Sequence, residues 1–390
     1  MAFKLPEGHI NISKPSYLPA AKIIGPQRKK PYQPQSIINI SAMSYGSLSA
    51  AALTALNQGA QMANCYHNTG EGGFSPYHNF GADVVYNLGT GYFGSREADG
   101  RFSLEKLSQT ISDNPVIKMI ELKLSQGAKP GKGGVLPAAK VTAEIAKVRG
   151  VEAGKDVVSP AYHSAFLNIP EMVALIEKMA EKTGLPVGIK AAVGKLDMWE
   201  ELAQEMLRTG QGPDFITIDG GEGGTGAAPR AFADHVSLPW IYAFSKIYQL
   251  FQKHGLEKKI TFIASGKLGF PEKTVMAFAM GADIINVARE AMMAIGCIQA
   301  QKCHTNTCPV GIATNNKWLE SGLNPEAKKV RFYNYVKTLS KEIIEISHAC
   351  GYEHPSQFTM EDVEISMGDN NRTITLSQAY GYQKTPVSMT

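Results

Sequence analysis

Strand-like apolar runs alternate with helix-like stretches along most of this sequence, and that alternation restricts the chain to a parallel β/α architecture. Ile37–Ala42 precedes Ser49–Ala63, Lys118–Leu122 precedes Ala138–Arg149, and Val187–Ala191 precedes Met198–Thr209. The series continues with Phe215–Ile218 and Trp240–His254, Ile260–Ala264 and Pro271–Met280, then Ile284–Val287 and Ala291–Ala300. An open doubly wound sheet gathers its functional residues at one or two switch points, whereas a closed barrel draws them from many βα loops. Here the polar and Gly-rich residues follow several different strands. The expected fold class is therefore α/β, a (β/α)8 TIM barrel with an irregular N-terminal arm and a C-terminal helical extension.

The expected boundaries are 1–36 for the arm, 37–320 for the barrel and 321–390 for the C-terminal helix and tail. The arm carries IIGPQRKKPYQPQ, rich in Pro and basic residues and without a sustained period. Asn324-Pro325 predicts a cap and first turn, opening a helix that runs to about Gly351. The last stretch shows little beyond a polar tail. A length of 390 residues suits one large barrel as well as two ordinary domains, so length alone decides nothing.

Composition removes several function classes. Apolar residues at 44% and charged residues at 19% describe a globular chain. The formal charge of +4 is small, and no Lys/Arg run interleaved with aromatics marks a nucleic-acid surface. No apolar run reaches the roughly 18 residues of a membrane span, and MAFKLPEGHINISK lacks a secretory apolar region. A cytoplasmic location is expected. In a reducing compartment, three of the five cysteines falling within twelve positions suggests metal ligation before disulfides.

Those three are Cys297, Cys303 and Cys308, in GCIQAQKCHTNTCPVGIAT. Three thiolates with no fourth nearby suit a cubane-type cluster lacking one iron, a 3Fe-4S centre. Zinc held by the three cysteines and His304 is the competing metal reading, although His304 directly follows Cys303 and is hard to aim at the same ion. Three thiols packed as small hydrophobes is the bland alternative.

This segment, with ISAMSYGSLS (40–49), NTGEGG (68–73), IELKLSQGAKPGKGG (120–134), IDGGEGGTGAAP (218–229) and GADIINVAREAMMAIGC (281–297), resembles the FMN-binding synthase domain of glutamate synthases. GTGYFGSR (89–96), GGVLPAAKVTAEIA (133–146) and IASGK (263–267) are similar to its free-standing, single-domain branch. The resemblance implies an oxidoreductase acting on CH–NH2 donors. FMN would lie beside a 3Fe-4S cluster on Cys297, Cys303 and Cys308, with electrons passing through the cluster to an imine of an oxoacid and ammonia, or the reverse.

For the flavin, Ser265, Gly266 and Lys267 follow one late strand and Asn286, Ala288 and Arg289 follow the next, where such barrels hold phosphate. By resemblance, Ala42, Met43 and Ser44 lie against the ring. Lys190 ends the strand VGIKAA, where an unpartnered buried lysine is costly; beside a flavin its charge stabilises the reduced ring. Asp219, Gly220 and Gly221, then Gly223, Gly224, Thr225 and Gly226, end the next strand, the glycines permitting close backbone approach.

On the substrate side, the resemblance groups Lys123, Gln126, Lys129 and Arg149 as a basic set for carboxylates. A lone lysine is usually solvated, but Lys123 interrupts an apolar strand. Glu71 is the first general acid/base candidate and Lys129 the second, with His163 weaker and compatible with a structural role. A chain beginning Met1-Ala2-Phe3 is expected to lack the glutaminase domain that the resemblance places before the synthase domain, and no GxGxxG unit marks a nicotinamide site. Ammonia and electrons are expected from solution or from partners such as ferredoxin or a glutaminase subunit; a homo-oligomer is compatible. The competing classes are a non-catalytic electron-relay subunit and, further off, a zinc hydrolase. One departure stands out. The family's QGAKPGEGGQ reads QGAKPGKGGV here, so Lys132 replaces an acid and Val135 a glutamine, which predicts weak use of 2-oxoglutarate.

Overall fold

Eight parallel strands close into a barrel in the computed structural model, which describes residues 1–5, 18–368 and 372–385. After a short strand β1 (Ala2–Phe3), the barrel strands are β2 (Ile38–Ile40), β3 (His67–Asn68), β4 (Val84–Leu88), β5 (Ile117–Lys123), β8 (Val187–Ala191), β9 (Phe215–Asp219), β10 (Thr261–Ser265) and β11 (Ile284–Val287). Between β5 and β8, β6 (Val135–Leu136) and β7 (Val157–Val158) form an antiparallel ribbon. Closure comes from β11 on β2, with Ile285 opposite Ile38 and Val287 opposite Ile40. Strands buried on both faces read as continuous apolar runs rather than alternating ones, as every residue of β11 shows.

Helices follow in chain order: α1 (Ala50–Met62), α2 (Leu104–Asp113), α3 (Ala143–Arg149), α4 (Ile169–Thr183), α5 (Asp197–Thr209), α6 (Trp240–Lys253), α7 (Pro271–Met280), α8 (Arg289–Ala294), α9 (Lys317–Glu320), α10 (Pro325–Ala349) and α11 (Leu376–Tyr380). Side chains of Ser49, Ser103, Thr142 and Asn168 accept the first free amides of α1 to α4. Glycines in left-handed conformation end α3, α4, α5 and α7. Asn324 caps α10, which lies along α1. That contact needs Gly59, because an added Cβ would stand 2.9 Å from the Lys329 carbonyl oxygen.

Several expected boundaries shift. Strands β3 and β4, with helices α2 and α4, were not anticipated. The stretch 138–149 is not one helix: a 3-10 turn, Ala138–Lys140, precedes α3, because the Thr142 hydroxyl accepts the Ile145 amide and starts the helix there. The helix expected over Ala291–Ala300 is the shorter α8, ending before the cysteines. Of the arm, residues 18–36 cross the end of the barrel where the strands begin. Ile24 and Tyr32 join Met119, Phe215, Ile263 and Ile284 in an apolar plug. Arg28 pins this segment through Glu177 at 2.6 Å and Asp214 at 2.9 Å. The readings of 6–17 as arm, and of 369–371 and 386–390 as tail, lie outside the described residues. Among the described residues no helix is long and apolar enough to cross a membrane.

Candidate functional site

The carboxyl ends of the strands open into one elongated cavity, about 1580 Å3 including its open mouth. Ala42, Met43 and Ser44, leaving β2, line one wall. Lys190, from β8, reaches in beside Asp219 of β9, with Nζ 3.7 Å from Oδ2. Burial pushes the Lys190 ammonium down, but Asp219 and Glu121 outweigh it and raise the group, so it remains charged. Glu121 lies deeper in the barrel, where its carboxylate accepts Asn68 Nδ2 at 2.8 Å, Asn87 Nδ2 at 2.7 Å and the Thr217 hydroxyl at 2.8 Å.

At one end, Ser265, Gly266 and Lys267 meet Asn286, Ala288 and Arg289. Lys267 adopts φ 55, a left-handed conformation unusual for a residue with a side chain. Arg289 Nη2 donates to the Gly224 carbonyl at 2.8 Å and so holds the glycine loop against β11. Gly220, Gly223, Gly224 and Thr225 line the cavity. Gly221 and Gly226 do not: Gly221 packs on Ser237, and Gly226 lies against the Gln301 backbone. Asn286 is partly committed inside the barrel, accepting the Tyr66 hydroxyl at 2.6 Å.

At the other end the structure brings together Lys123, Gln126, Lys129, Arg149 and Glu71. Lys123 Nζ lies 2.9 Å from Glu71 Oε2 and 3.3 Å from Gln126 Oε1. Burial would raise the Glu71 carboxyl, but Lys123, Lys129 and Arg149 hold it at about 2. Glu71 is thus a carboxylate at neutral pH, unable to donate a proton and, held so low, a weak base. Burial lowers the Lys129 ammonium, partly offset by Glu71. Arg149 is buried, donates from Nη2 to the Tyr45 carbonyl at 2.8 Å and lies over the Phe93 ring. His163, which burial lowers to about 4, is neutral and bonds the Lys123 carbonyl through Nε2 at 2.8 Å; its role is to hold that backbone.

The cysteine expectation is corrected. Among the described residues no group of three or more His, Cys, Asp or Glu side chains is placed to hold a metal ion. Cys297, Cys303 and Cys308 line a second cavity beside the first but are free thiols, so the 3Fe-4S cluster, its electron relay and the zinc alternative are not supported. Spacing alone cannot fix where thiols point. Here Cys308 is buried in the core, the Cys297 sulfur accepts the Gln299 amide at 3.4 Å, and Gln299, Gln301 and Asn306 turn the loop through left-handed conformations.

Sequence reading missed Lys140 and Glu222, and of the β6–β7 ribbon it singled out Val135 alone. Lys140 is buried at the cavity wall, its ammonium donating to the carbonyls of Ser47, Cys303 and Ala313. Glu222 lines the cavity and accepts the Trp240 amide at 2.8 Å. The β6–β7 ribbon supplies Val135, Leu136, Pro137 and Val157. The signal for Glu121 was present, since it interrupts the apolar β5 as Lys123 does; Lys140 carried none while 138–149 read as a helix.

The chain is similar to the glutamate synthase large subunit-like protein YerD of Bacillus subtilis, 44% identical over 345 residues, covering 88% of this chain and 65% of the relative. The archaeal glutamate synthase [NADPH] of Archaeoglobus fulgidus is 33% identical over 320 residues, covering 82% of this chain and 60% of that protein. The chain therefore spans about three-fifths to two-thirds of the length of these curated relatives. Among solved structures, mandelate oxidase with benzoylformic acid (TM-score 0.53, 12% identity, 90% of this chain and 83% of that one) shares the fold. So does a flavocytochrome b2 variant with sulfite bound (TM-score 0.53, 12% identity, 93% and 75%). Residues 11–353 match the conserved region in glutamate synthase, and the chain belongs to the glutamate synthase family.

Proposed function

We propose that the chain is an FMN-dependent oxidoreductase interconverting an amino acid and the imine formed from a 2-oxoacid and ammonia. The observation that carries this reading is the single cavity running from Lys267 and Arg289, past Lys190, to Lys123, Lys129 and Glu71. The donor set suits FMN. Lys267 and Arg289 offer charge to a phosphate, and beside them Gly223 faces open space: an added Cβ there would meet nothing nearer than Arg289 Nη2 at 3.8 Å. Ala42 to Ser44 offer a wall for the ring, and the charged Lys190 stabilises negative charge developing near it. Bound there, FMN would supply hydride transfer.

The chain's own residues do the rest. Lys129 binds a carboxylate and serves as proton donor, and Glu71, kept ionised by Lys123, holds the cations of this end in place. Ammonia and reducing equivalents come from solution or from partner proteins, a ferredoxin-type donor or a glutaminase subunit. Titration of the apoprotein with FMN should quench flavin fluorescence at one equivalent. The photoreduced protein should then reoxidise anaerobically with a 2-oxoacid plus ammonium, not with ammonium alone. Failure to take up FMN would end this reading.

A further inference from the structure

The substrate end of the cavity offers few uncommitted cations. Lys123 is engaged by Glu71 at 2.9 Å and by Gln126 at 3.3 Å. Arg149 is 3% exposed, donates to the Tyr45 carbonyl from Nη2 and is stacked on Phe93, while its Nε is buried without a partner among the described residues. Lys140 directs its ammonium at three carbonyl oxygens, at 2.7, 3.1 and 3.2 Å, and so has no proton left for a ligand. Lys129 also lines this end; its backbone amide donates to the Gln126 carbonyl at 3.1 Å, but among the described residues its ammonium makes no hydrogen bond or ion pair. One carboxylate therefore has a ready partner.

The same cavity is walled by the β6–β7 ribbon, through Val135, Leu136, Pro137 and Val157. None of these side chains can donate a hydrogen bond. Val135 is 53% exposed, an apolar side chain left uncovered at the mouth. The ribbon is a fixed wall: the Ser159 amide donates to the Gly134 carbonyl at 2.8 Å, and a Cβ on Gly134 would stand 2.1 Å from Glu71 Oε1. A second carboxylate resting on this wall would lose water without gaining a partner. An aliphatic side chain there would gain by burial.

Building on the oxidoreductase reading above, we propose that the substrate is a monocarboxylic 2-oxoacid, or its amino acid, with an apolar side chain, and that the β6–β7 ribbon sets this preference. Isothermal titration of the FMN-loaded protein with 4-methyl-2-oxovalerate, pyruvate and 2-oxoglutarate tests it. The expected order places 4-methyl-2-oxovalerate at least tenfold tighter than 2-oxoglutarate. Lys129→Met weakens all three at least tenfold, and Val135→Lys reverses the preference toward 2-oxoglutarate. Equal or tighter binding of 2-oxoglutarate by the unaltered protein overturns the proposal, as does binding of none of the three. If Lys132, which lies over the Phe232 ring, is the second cation, Lys132→Ala weakens 2-oxoglutarate selectively; that result also overturns it. FMN uptake is measured separately, so tight FMN binding with a dicarboxylate preference would defeat this inference and leave the cofactor assignment standing.

Discussion

Glu71 Oε2 lies 2.9 Å from Lys123 Nζ, and this pair joins the β3 loop to the end of β5 at the floor of the cavity. The carboxyl is held at about 2 rather than its ordinary 4.5, burial opposing and the cations Lys123, Lys129 and Arg149 prevailing. A lowered carboxyl stabilises the fold above the unfolded-state value, and the contribution disappears as pH falls through the folded-state value. The shift corresponds to at most about 3 kcal/mol. The difference in unfolding free energy between the protein and Glu71→Gln should therefore shrink between pH 4.5 and 2. Denaturant melts at successive pH values check this, and a difference constant across that window would show the pair to be energetically idle.

The barrel was legible where strands are long and apolar. Val187–Ala191 and Ile284–Val287, with helix Pro271–Met280, coincide with their expected bounds. It was illegible where the third dimension decides. Strand β3 is two residues long, and β4 ends VYNL with Asn87 turned into the barrel to meet Glu121, so neither reads as an apolar run. The ends of the cavity were legible because charged residues interrupt or follow apolar strands, as Lys123 and Lys190 do. The cysteine loop was misread because spacing gives proximity in sequence, whereas ligation depends on where the thiols point. Lys140 was invisible for a related reason: its three carbonyl partners come from segments far apart in the chain.

Arg289 bridges the glycine loop and the residues after β11 through its 2.8 Å bond to the Gly224 carbonyl. A charge-assisted phosphate contact contributes roughly 1.5–3 kcal/mol, or about one to two orders of magnitude in affinity. Arg289→Ala should weaken FMN binding by that factor, and Arg289→Lys by less, read by fluorescence titration. Unchanged affinity in the alanine variant would remove Arg289 from the phosphate end.

Gly127 sits where the loop after β5 touches the loop after β9. An added Cβ would lie 1.8 Å from the Gly220 carbonyl oxygen and 2.9 Å from that of Asp219, both backbone atoms that no side-chain rotation can clear. The Gly127 amide also donates to Asp219 Oδ2 at 2.8 Å, the carboxylate that pairs with Lys190. Gly127→Ala should destabilise the fold by about 1–3 kcal/mol, as overpacking does. It should weaken FMN binding as well, since the two loops must part. A variant with unaltered Tm and FMN affinity would show that these loops separate freely.

Lys140 ties three segments into one wall: the loop after β2 through Ser47, the cysteine loop through Cys303, and the chain leading to α9 through Ala313. Asn315 reinforces the same junction, donating to the carbonyls of Gly46 and Lys140 at 2.9 and 3.0 Å. Lys140→Met keeps the length of the side chain but removes its donors, leaving three carbonyls short of a partner. Each unsatisfied buried group costs about 1–3 kcal/mol, an upper bound here because water can enter from the cavity. The loss should be local first. Amide exchange over residues 303–316 should accelerate more than exchange in β8 to β11, because the cysteine loop depends on this ammonium while the barrel strands hold one another. Exchange that rises evenly over the whole chain would mean that Lys140 supports global stability and does not anchor the loop.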